Sequence, residues 1–455
     1  MGIEHQHAND PGRALWNPAV ETLSRDAMHA LQLERLKKQV AYNFERSSYY
    51  RERMTAAGIT PSDIRSTDDF CHVPVMDKHE HRRVQQESLD RHGWAGALLA
   101  CAPREQIVRI NATSGTTGIP TLYTLTAHDC AVVSEMHARK YWRAGIRPGH
   151  VMLQALSLSM FTGGLPLSQG IMHLGACVVP VGIEGGRKRV VEFAKLTRAD
   201  ALIATPSFAT QLVQEGDDGK PARELGLRWF FSAGEPGGSE PATRKLIGEG
   251  LGAQVFDHTG GGHAFHAITC EVEDAGMHFV SDDHCLLELV DPQTRAPVAM
   301  ADGAVGEMVF TFLDWRGGPL MRYALGDVLQ VNTTPCACGR PGIRLRILGR
   351  ADDMLIVKGV NVYPAAIHDT LLAFVPQVTG AMRIRLDAPG PRVNPPLNLR
   401  IEHGDGVGAA ALEDLRKAIV QRMREALRIT PAIEWLAPGT LPRDAHKSRW
   451  VEVVR

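Results

Sequence analysis

The sequence has almost no excess of charge of either sign. Lys and Arg number 50 and Asp and Glu number 51, so the formal net charge is −1. Proteins that bind nucleic acid or an anionic membrane carry a basic surface, and the balance gives no sign of one. No apolar run reaches the length that spans a bilayer, and the first residues, MGIEHQHANDPGRALW, lack the apolar segment of a signal peptide. We therefore expect a cytoplasmic protein with neither membrane nor nucleic-acid partners.

Cysteine is also scarce. Eight cysteines in 455 residues do not make a disulfide framework, so we expect reduced thiols or metal ligands. Only Cys336-Ala-Cys338 has the tight spacing of a ligand pair. Four others stand in apolar or helical contexts and are predicted to lie in the core: Cys71, Cys101, Cys130 and Cys177.

The chain does contain the alternating pattern of an α/β protein. Its 44% hydrophobic and 22% charged residues are globular values, and its length indicates two or three domains. Residues 21–56 carry apolar side chains at helical spacing, which predicts amphipathic helices. Apolar runs at 151–155, 176–180 and 201–204 alternate with helical stretches, which predicts βαβ units and a largely parallel sheet.

The pattern then changes twice. From residue 277, strand-like segments with turn signals predict a small β subdomain. After residue 350, a new strand-turn pattern, a Pro/Gly loop and a helix at about 410–427 predict a separate domain. We predict a large domain at 1–350, with parallel βαβ layers and the β subdomain, and a small α+β domain at 351–455.

The run Asn111-Ala-Thr-Ser-Gly-Thr-Thr-Gly-Ile-Pro-Thr121 has the composition of a phosphate-binding loop. Seven of its eleven residues are Gly or carry a hydroxyl group. Glycine lets a turn approach an anion closely, and backbone N–H groups and hydroxyls donate to phosphate oxygens. It is not a Walker loop, because no Gly-Lys-Ser/Thr ends it. The alternative is a solvated loop without a ligand.

This run is the first of seven motifs in a fixed order. The others lie at 232–236, 256–260, 322–327, 348–355, 359–364 and 442–447. Their order and spacing resemble those of the adenylate-forming acyl-CoA synthetase superfamily, and most closely its phenylacetate-CoA ligase branch. The resemblance covers nearly the whole chain. It implies an enzyme that uses ATP and Mg²⁺ to convert a carboxylic acid to an acyl-adenylate and then passes the acyl group to coenzyme A.

The resemblance also implies a role for each matching position. The phosphates of ATP would be held by Thr113, Ser114, Gly115, Thr116, Thr117 and Gly118. The adenine would lie against Ala233, Gly234, Glu235 and Pro236. The nucleotide would further meet Asp257 and His258.

Four other charged residues match functional positions of the family. Asp327 would accept hydrogen bonds from the ribose hydroxyls, and Arg350 would lie near ribose and phosphate. Asp352 would be the hinge of a mobile C-terminal domain. Lys447 would stabilise the charge that develops during adenylation. The alternatives are a surface ion pair for Asp327 and a solvated lysine near the terminus for Lys447.

The chain departs from the family where Mg²⁺ is expected. His263 stands at the position of a glutamate ligand and Thr259 at that of a tyrosine, and both are predicted catalytic positions. Ile119 replaces a lysine in the glycine-rich loop. Imidazole does not replace a hard oxygen ligand of Mg²⁺. Either the enzyme adenylates with a reshaped pocket, or it has specialised towards another reaction.

The resemblance further implies a structural zinc site and an acid-binding pocket. Cys270, His278, Cys336 and Cys338 would complete a closed tetrahedral zinc site, with His284 and Cys285 as rival ligands and free thiols as the alternative. The predicted pocket wall consists of Phe161, Gly163, Gly164, Gly182, Gly261, Gly262 and His263.

An aromatic acid is the leading substrate, on resemblance alone. Coenzyme A is the expected acyl acceptor. An amine or a carrier protein is an alternative acceptor, and a non-catalytic nucleotide-binding protein is a third possibility. The branch also implies a homodimer.

Overall fold

The computed structural model describes residues 15–113, 120–161, 163–216, 219–235, 237–260, 263–358, 360–388, 390–393, 395–441 and 450–454. The α-helices are α1 (Pro18–Glu21), α2 (Arg25–Arg46), α3 (Ser48–Ala56), α4 (Thr67–Phe70), α5 (Lys78–His92), α6 (Ala127–Arg143), α7 (Leu165–Leu174), α8 (Gly186–Thr197), α9 (Pro206–Glu215), α10 (Pro241–Leu251), α11 (Pro364–Leu372) and α12 (Ala409–Leu427). Four short 3₁₀ turns connect them at Pro61–Asp63, Arg104–Gln106, Ile183–Gly185 and Ala222–Leu225.

The strands of the first two thirds of the chain are β1 (Met76–Asp77), β2 (Ile107–Ala112), β3 (Leu122–Thr126), β4 (Val151–Gln154), β5 (Cys177–Pro180), β6 (Ala201–Ala204), β7 (Trp229–Ser232), β8 (Gln254–Thr259), β9 (Ala267–Thr269), β10 (Met277–Phe279), β11 (Cys285–Val290) and β12 (Pro297–Val298). The remaining strands are β13 (Val305–Phe312), β14 (Tyr323–Asn332), β15 (Arg344–Arg350), β16 (Leu355–Val357), β17 (Val360–Val362), β18 (Val378–Leu386), β19 (Arg392–Val393), β20 (Leu397–His403), β21 (Pro431–Leu436) and β22 (Val451–Val453).

One large sheet of 13 strands forms the body of the molecule. Its order is β12-β11-β13-β14-β15-β10-β9-β8-β7-β6-β4-β5, and β1 adds to β14. Strands β4 to β8 pair in parallel, whereas β8 to β15 pair antiparallel. The predicted α/β class with a parallel sheet is confirmed. The strands expected in a β subdomain continue the same sheet, because β9 pairs antiparallel with the last parallel strand.

The parallel strands are buried on both faces, as helices on each side of a sheet require. In β6, all four residues are buried. Ile203 of β6 and Phe231 of β7 pack into one hydrophobic cluster, and their neighbours Leu202 and Phe230 pack into the cluster on the opposite face. Alternate residues therefore serve opposite cores, which explains why these runs are continuously apolar in the sequence.

The C-terminal residues build their own sheets and core. Strands β21-β20-β18-β22 form a four-stranded sheet and β17-β16-β19 a three-stranded one. Their buried side chains, with those of α11 and α12, form one cluster drawn from residues 355–433. The helix expected at about 410–427 is present as α12. The division at 350/351 stays a prediction.

The four cysteines expected in the core differ in their surroundings. Cys101 is buried and Cys71 and Cys130 are half-buried, but Cys177 is exposed. Cys177 begins β5, which is the last strand of the large sheet. The prediction of a core position was wrong for Cys177, because an apolar run at the edge of a sheet is not covered on every side.

Among the described residues, none of the helices combines the length and the apolar character that a bilayer crossing requires.

Candidate active site and cysteine-histidine cluster

The glycine- and threonine-rich run lies between the two strands of an antiparallel hairpin. Strands β2 and β3 pair up to Ala112 and Leu122, and residues 114–119 are outside the described residues. Thr113 closes the base of the loop: its N–H donates to the Thr121 carbonyl at 3.0 Å, and its Oγ1 accepts from the Thr121 N–H at 3.2 Å. These two hydrogen bonds therefore hold the two ends of the loop next to each other.

A side chain of helix α5 holds the C-terminal end of this loop. The Gln85 side chain donates to the Pro120 carbonyl at 3.0 Å and accepts from the Leu122 N–H at 2.6 Å. Gln85 is only 3% exposed. Both hydrogen bonds of the amide are thereby committed to positioning the loop.

Asp327 and Arg350 face each other across strands β14 and β15. They are register partners, and Arg350 Nη1 donates to Asp327 Oδ1 at 3.2 Å. Arg350 also forms a two-point contact with Asp352, at 2.7 Å from Nε and 3.0 Å from Nη2. Gly326 permits this arrangement: its φ is +91°, and a Cβ there would lie 2.6 Å from Arg350 Nη2.

The two aspartates stabilise the charged form of Arg350, and Arg350 stabilises that of Asp352. Burial opposes the charge of Arg350, but the hydrogen bonds with Asp352 and the charge of Asp327 raise the pKa of the guanidinium. Burial likewise disfavours the Asp352 carboxylate, whereas Arg350 and Lys78 lower its pKa. The predicted ribose and hinge residues thus form one hydrogen-bonded network at the point where β15 ends.

The predicted adenine segment follows β7. The Ala233 N–H donates to the Ala204 carbonyl at 3.1 Å, which extends the parallel pairing by one residue. Gly234 is exposed. The Glu235 carboxylate accepts from the Ser207 N–H at 2.8 Å, and burial raises its pKa. Pro236 lies outside the described residues.

The next parallel strand, β8, carries three of the predicted residues. Asp257 accepts from Ser239 Oγ at 2.6 Å, and burial raises its pKa to about 6 despite hydrogen bonds from serine hydroxyls. His258 is buried, and desolvation together with the charge of Lys140 lowers its pKa. The Thr259 carbonyl accepts from Lys140 Nζ at 3.2 Å. These residues lie at the carboxyl edge of the parallel strands, where open α/β sheets bind ligands.

His263, which occupies the position where the family has a glutamate, is half-buried. Its ring lies edge-on to Tyr123, with 4.3 Å between ring centroids. Burial and the charge of Lys78 lower its pKa to about 4, so the imidazole is neutral at pH 7. Gly261 and Gly262 lie outside the described residues. A neutral imidazole beside a lysine offers neither the oxygen nor the negative charge that Mg²⁺ prefers.

The predicted pocket wall is tied to strand β4. Phe161 bridges to the end of β2, and the Gly164 N–H donates to its carbonyl at 3.0 Å. The Gln154 side chain donates to the carbonyls of Gly163 and Gly164, at 3.4 Å and 3.0 Å. The Gly182 N–H donates to the Gln154 carbonyl at 2.9 Å. One buried glutamine therefore holds both glycine turns.

Cys270, His278, Cys336 and Cys338 lie together. Their ligand atoms all fall within 4.8 Å of one another. Cys270 follows β9, His278 lies on β10, and the two other cysteines lie in the turn before β15, so adjacent strands bring the four together. Cys270 Sγ is 3.8 Å from Cys336 Sγ, and Cys338 Sγ is 3.3 Å from His278 Nε2.

The two rival ligands point elsewhere. His284 Nε2 lies 3.3 Å from Asp283 Oδ2, and its Nδ1 lies 3.4 Å from Arg35 Nη1. Cys285 is fully buried in the pairing of β11 with β13. Among the described residues, the cluster of four is the one group suited to a metal ion.

Two lysines beside these segments carry no sequence signal and were missed. Lys78 begins α5, and its charge acts on both His263 and Asp352. Lys140 is fully buried in α6, although a lysine in an amphipathic helix normally indicates the solvated face. Both could be recognised only from the fold. Lys447 lies outside the described residues.

The fold is that of an α/β protein whose predicted site residues lie near the carboxyl edge of the parallel strands, followed by a C-terminal body with its own sheets and core. Residues 58–311 match the family of AMP-binding enzymes, and residues 359–453 match the AMP-binding enzyme C-terminal domain. Since the first match covers more than half of the chain, the protein belongs to the AMP-binding enzyme family.

Curated relatives extend over nearly the whole chain. A phenylacetate-coenzyme A ligase of Thermus thermophilus is 35% identical to this protein. The match covers 94% of this chain and 97% of the relative's chain. A phenylacetate-coenzyme A ligase of Pseudomonas putida is 30% identical, with 97% of each chain covered. The protein is therefore an adenylate-forming acid–thiol ligase, which uses ATP and coenzyme A.

Solved structures of one ligase show two arrangements. A 2-hydroxyisobutyryl-CoA ligase in its postadenylation state, bound to 2-HIB-AMP, has a TM-score of 0.89 at 29% identity, with 100% of this chain and 95% of that one covered. The same ligase in the thioesterification state, bound to 2-HIB-AMP and CoA, has a TM-score of 0.71 at 30% identity and the same coverage. The present structure is thus more similar to the postadenylation state of that ligase than to its thioesterification state.

Proposed function

We propose that this protein activates an aromatic carboxylic acid and releases it as its coenzyme A thioester. The observation that carries the nucleotide half of the proposal is the Asp327–Arg350–Asp352 network at the end of β15. The names of the curated relatives, phenylacetate-coenzyme A ligases, support the aromatic class. In the adenylation step, a carboxylate oxygen of the acid attacks the α-phosphorus of ATP and pyrophosphate leaves.

Several of the predicted site residues share the work of that step. Asp327 accepts hydrogen bonds from the ribose hydroxyls, and Arg350 supplies positive charge near the α-phosphate. Thr113 presents the glycine-rich loop to the β- and γ-phosphates. Lys447 balances the charge that moves from the carboxylate to pyrophosphate. In the second step, the thiol of coenzyme A loses its proton and attacks the acyl carbonyl, and AMP leaves.

The described residues do not fit a protein-bound Mg²⁺ ion at this site. His263 takes the place of the acidic ligand, and the described portion of the chain has no cluster of acidic or imidazole ligands there. No step of the mechanism is therefore assigned to the ion. Mg²⁺ commonly travels with the phosphates of ATP and keeps several of its waters.

Acid-dependent release of pyrophosphate tests the proposed function. A panel of aromatic and aliphatic acids is assayed with ATP, with and without coenzyme A, and the products are identified. We expect pyrophosphate with an aromatic acid and thioester only when coenzyme A is present. If an amine rather than coenzyme A consumes the adenylate, the proposed acceptor is wrong. ATP binding without release of pyrophosphate would refute the ligase activity.

The Lys447→Ala variant separates the two half-reactions. We expect it to lose pyrophosphate release and to make thioester from a supplied acyl-adenylate. Normal adenylation by this variant would overturn the role of Lys447. The homodimer that the resemblance implies is tested separately, by light scattering on the wild-type protein.

We propose a structural zinc ion for the cysteine-histidine cluster. Zinc–thiolate bonds of about 2.3 Å in a tetrahedron place the sulfurs about 3.8 Å apart. The distance between Cys270 and Cys336 is 3.8 Å. Three thiols and one imidazole leave no open position, which suits a structural ion that ties β9, β10 and the turn before β15 together.

Metal analysis of the purified protein tests this site. We expect one zinc per chain, lost in Cys336→Ser together with thermal stability. The matched control is Cys177→Ser, whose thiol is exposed and remote in the sheet order. Wild-type protein free of zinc after purification from zinc-replete cells would end the proposal.

A further inference from the structure

The glycine-rich run at 111–121 carries no charged side chain. None of its eleven residues is Lys or Arg, and Ile119 stands where the family has a lysine. The phosphates of ATP carry several negative charges, whereas backbone N–H groups and hydroxyls supply only dipoles. A fixed positive charge stabilises a leaving pyrophosphate more strongly than a dipole does. A cation from another part of the fold therefore suits this place.

Lys78 lies on the face of α5 that holds the end of this run. It is the first residue of the helix, and Gln85, whose amide holds the run, lies seven positions further along. Seven positions make about two turns, so both side chains leave one face of the helix, about 10 Å apart along its axis. Between them, the ring of His81 lies 5.6 Å from that of Tyr123 in β3. This face of α5 therefore packs against the hairpin that carries the run.

Strand pairing also brings Lys78 close to the ribose network. Strand β1 ends at Asp77, which pairs in parallel with Ala324 of β14. Because β13 occupies the other edge of β14 there, β1 lies on the edge that β15 uses further along. The two strands follow each other along that edge, and just past β15 the Ala351 N–H donates to the Gly326 carbonyl at 2.7 Å. Lys78 directly follows β1 and thus lies where β15 ends.

The charge of Lys78 acts on two residues of the site. Burial is the main reason that the pKa of His263 falls to about 4, and Lys78 adds to this effect. Burial and Arg350 have the larger effects on the Asp352 carboxyl, and Lys78 helps to lower its pKa. Lys78 itself is only half-buried, so it remains partly open to solvent. Its ammonium group therefore lies near the ribose network and near the expected metal position, on the side of the glycine-rich run.

We propose that the ammonium group of Lys78 contacts the β- and γ-phosphates of ATP and stabilises pyrophosphate as it leaves. This role rests on the proposed function and adds a catalytic residue to it. In that function, Asp327 and Arg350 hold the ribose and the α-phosphate, so the other phosphates extend towards the glycine-rich run, past Lys78. The bond from the α-phosphorus to the bridging oxygen breaks, and its electron pair stays on pyrophosphate. Lys78 remains protonated throughout and offers three donors to the phosphate oxygens.

The alternative is a purely structural role, in which Lys78 serves only its contact with Asp352 and thereby the placement of the C-terminal body. The two roles differ in the ligands that they affect. AMP and the acyl-adenylate lack the β- and γ-phosphates, so a contact with those phosphates changes neither the binding of AMP nor the reaction of the adenylate. A structural role changes both.

Nucleotide binding in the absence of an acid separates the two roles. The affinities of ATP and AMP are measured by calorimetry, with excess Mg²⁺, for the wild type and for Lys78→Met. We expect the variant to bind ATP at least about tenfold more weakly and AMP within about twofold of wild type, which also shows that it is folded. Equal losses for both nucleotides, or no loss for ATP, overturn the proposal. Failure of the proposed function is a different result, namely wild-type protein that releases no pyrophosphate with any acid.

The two half-reactions give a second measurement. We expect Lys78→Met to lower kcat/KM for pyrophosphate release by about a hundredfold and thioester formation from supplied acyl-adenylate by less than about twofold. Lys78→Arg keeps the positive charge and should recover most of the loss. Arg83→Met, at an exposed position of the same helix, is the matched control and should change neither reaction. An equal loss in both half-reactions of Lys78→Met would assign the lysine to the structural role and overturn the proposal.

Discussion

At the residue scale, Arg350 joins Asp327 to Asp352 through three side-chain hydrogen bonds. We predict that Arg350→Met lowers kcat/KM for pyrophosphate release by about a hundredfold, because charge near the reacting phosphate is lost. Arg346→Met is the matched control on the same strand, since its side chain is 44% exposed and pairs with Asp274. A similar loss in both variants would show that β15, and not the guanidinium, is affected.

Another single residue, Asp283, controls stability away from the site. Arg139 donates to its two oxygens at 2.7 Å and 3.2 Å, and both side chains are buried. Burial opposes its charge, but Arg139 and His284 lower its pKa below the usual range. Breaking a buried pair of this kind costs about 3–5 kcal/mol. We predict this loss for Asp283→Asn in urea unfolding at pH 7.

The pH dependence of Asp283 follows from the same pair. A lowered pKa in the folded state means that the contribution is complete above the unfolded pKa of about 3.9 and is lost as pH falls below it. We expect the gap between the wild-type and Asp283→Asn curves to begin to narrow below about pH 4 and to close only as pH approaches the lowered pKa of the folded state. Glu34→Gln, at an exposed pair with Lys38, should unfold at the same urea concentration as wild type at every pH.

Single residues also show where sequence reasoning ends. Asp327 and Arg350 were predicted because motif and position agree, and strand pairing brings them into contact. The cysteine-histidine cluster was named correctly as a group, but only the fold separates it from His284. Lys140 was not predicted, because a lysine in a helix indicates solvent unless the helix is known to be covered on nearly all sides.

At the scale of elements, the β2–β3 hairpin depends on one side chain of α5. Gln85→Leu leaves the Leu122 N–H and the Pro120 carbonyl without their partner. We predict a loss of about 2 kcal/mol in the free energy of unfolding and a KM for ATP raised about tenfold. Gln86→Leu is the matched control, because its amide bonds Asp90 on the exposed face. An unchanged KM for ATP in Gln85→Leu would separate the hairpin from nucleotide binding.

The elements themselves were largely predictable, and their joining was not. Apolar runs separated by helical stretches predicted β4 to β6 and their parallel pairing, which is confirmed. The antiparallel strands were also predicted, but as a separate subdomain. Pairing between β8 and β9 merges the two regions into one sheet, and it involves only His258 and Thr259 with their partners. Two short pairs leave no signal in a sequence pattern.

At the scale of the whole molecule, the arrangement of the two bodies resembles the postadenylation state of a solved relative more than its thioesterification state. We expect the C-terminal body to move between the two half-reactions. Helices α10 and α11 pack against each other in the present arrangement, and the charge of Asp369 in α11 acts on the carboxyl group of Glu240, which precedes α10. Burial and the charge of Asp369 raise the pKa of Glu240, so the pair holds a proton.

A cross-link at this contact tests the movement. We predict that Glu240→Cys/Asp369→Cys in a Cys177→Ser background, joined by a short reducible cross-linker, keeps acid-dependent pyrophosphate release within about threefold of the unlinked protein. Thioester formation from supplied acyl-adenylate should fall by about a hundredfold, because closure onto coenzyme A is blocked. Reduction of the linker should restore it, and the single-cysteine variants should respond to neither treatment. Full thioester formation by the linked enzyme would mean that one arrangement serves both steps, and then Asp352 would have no role as a hinge.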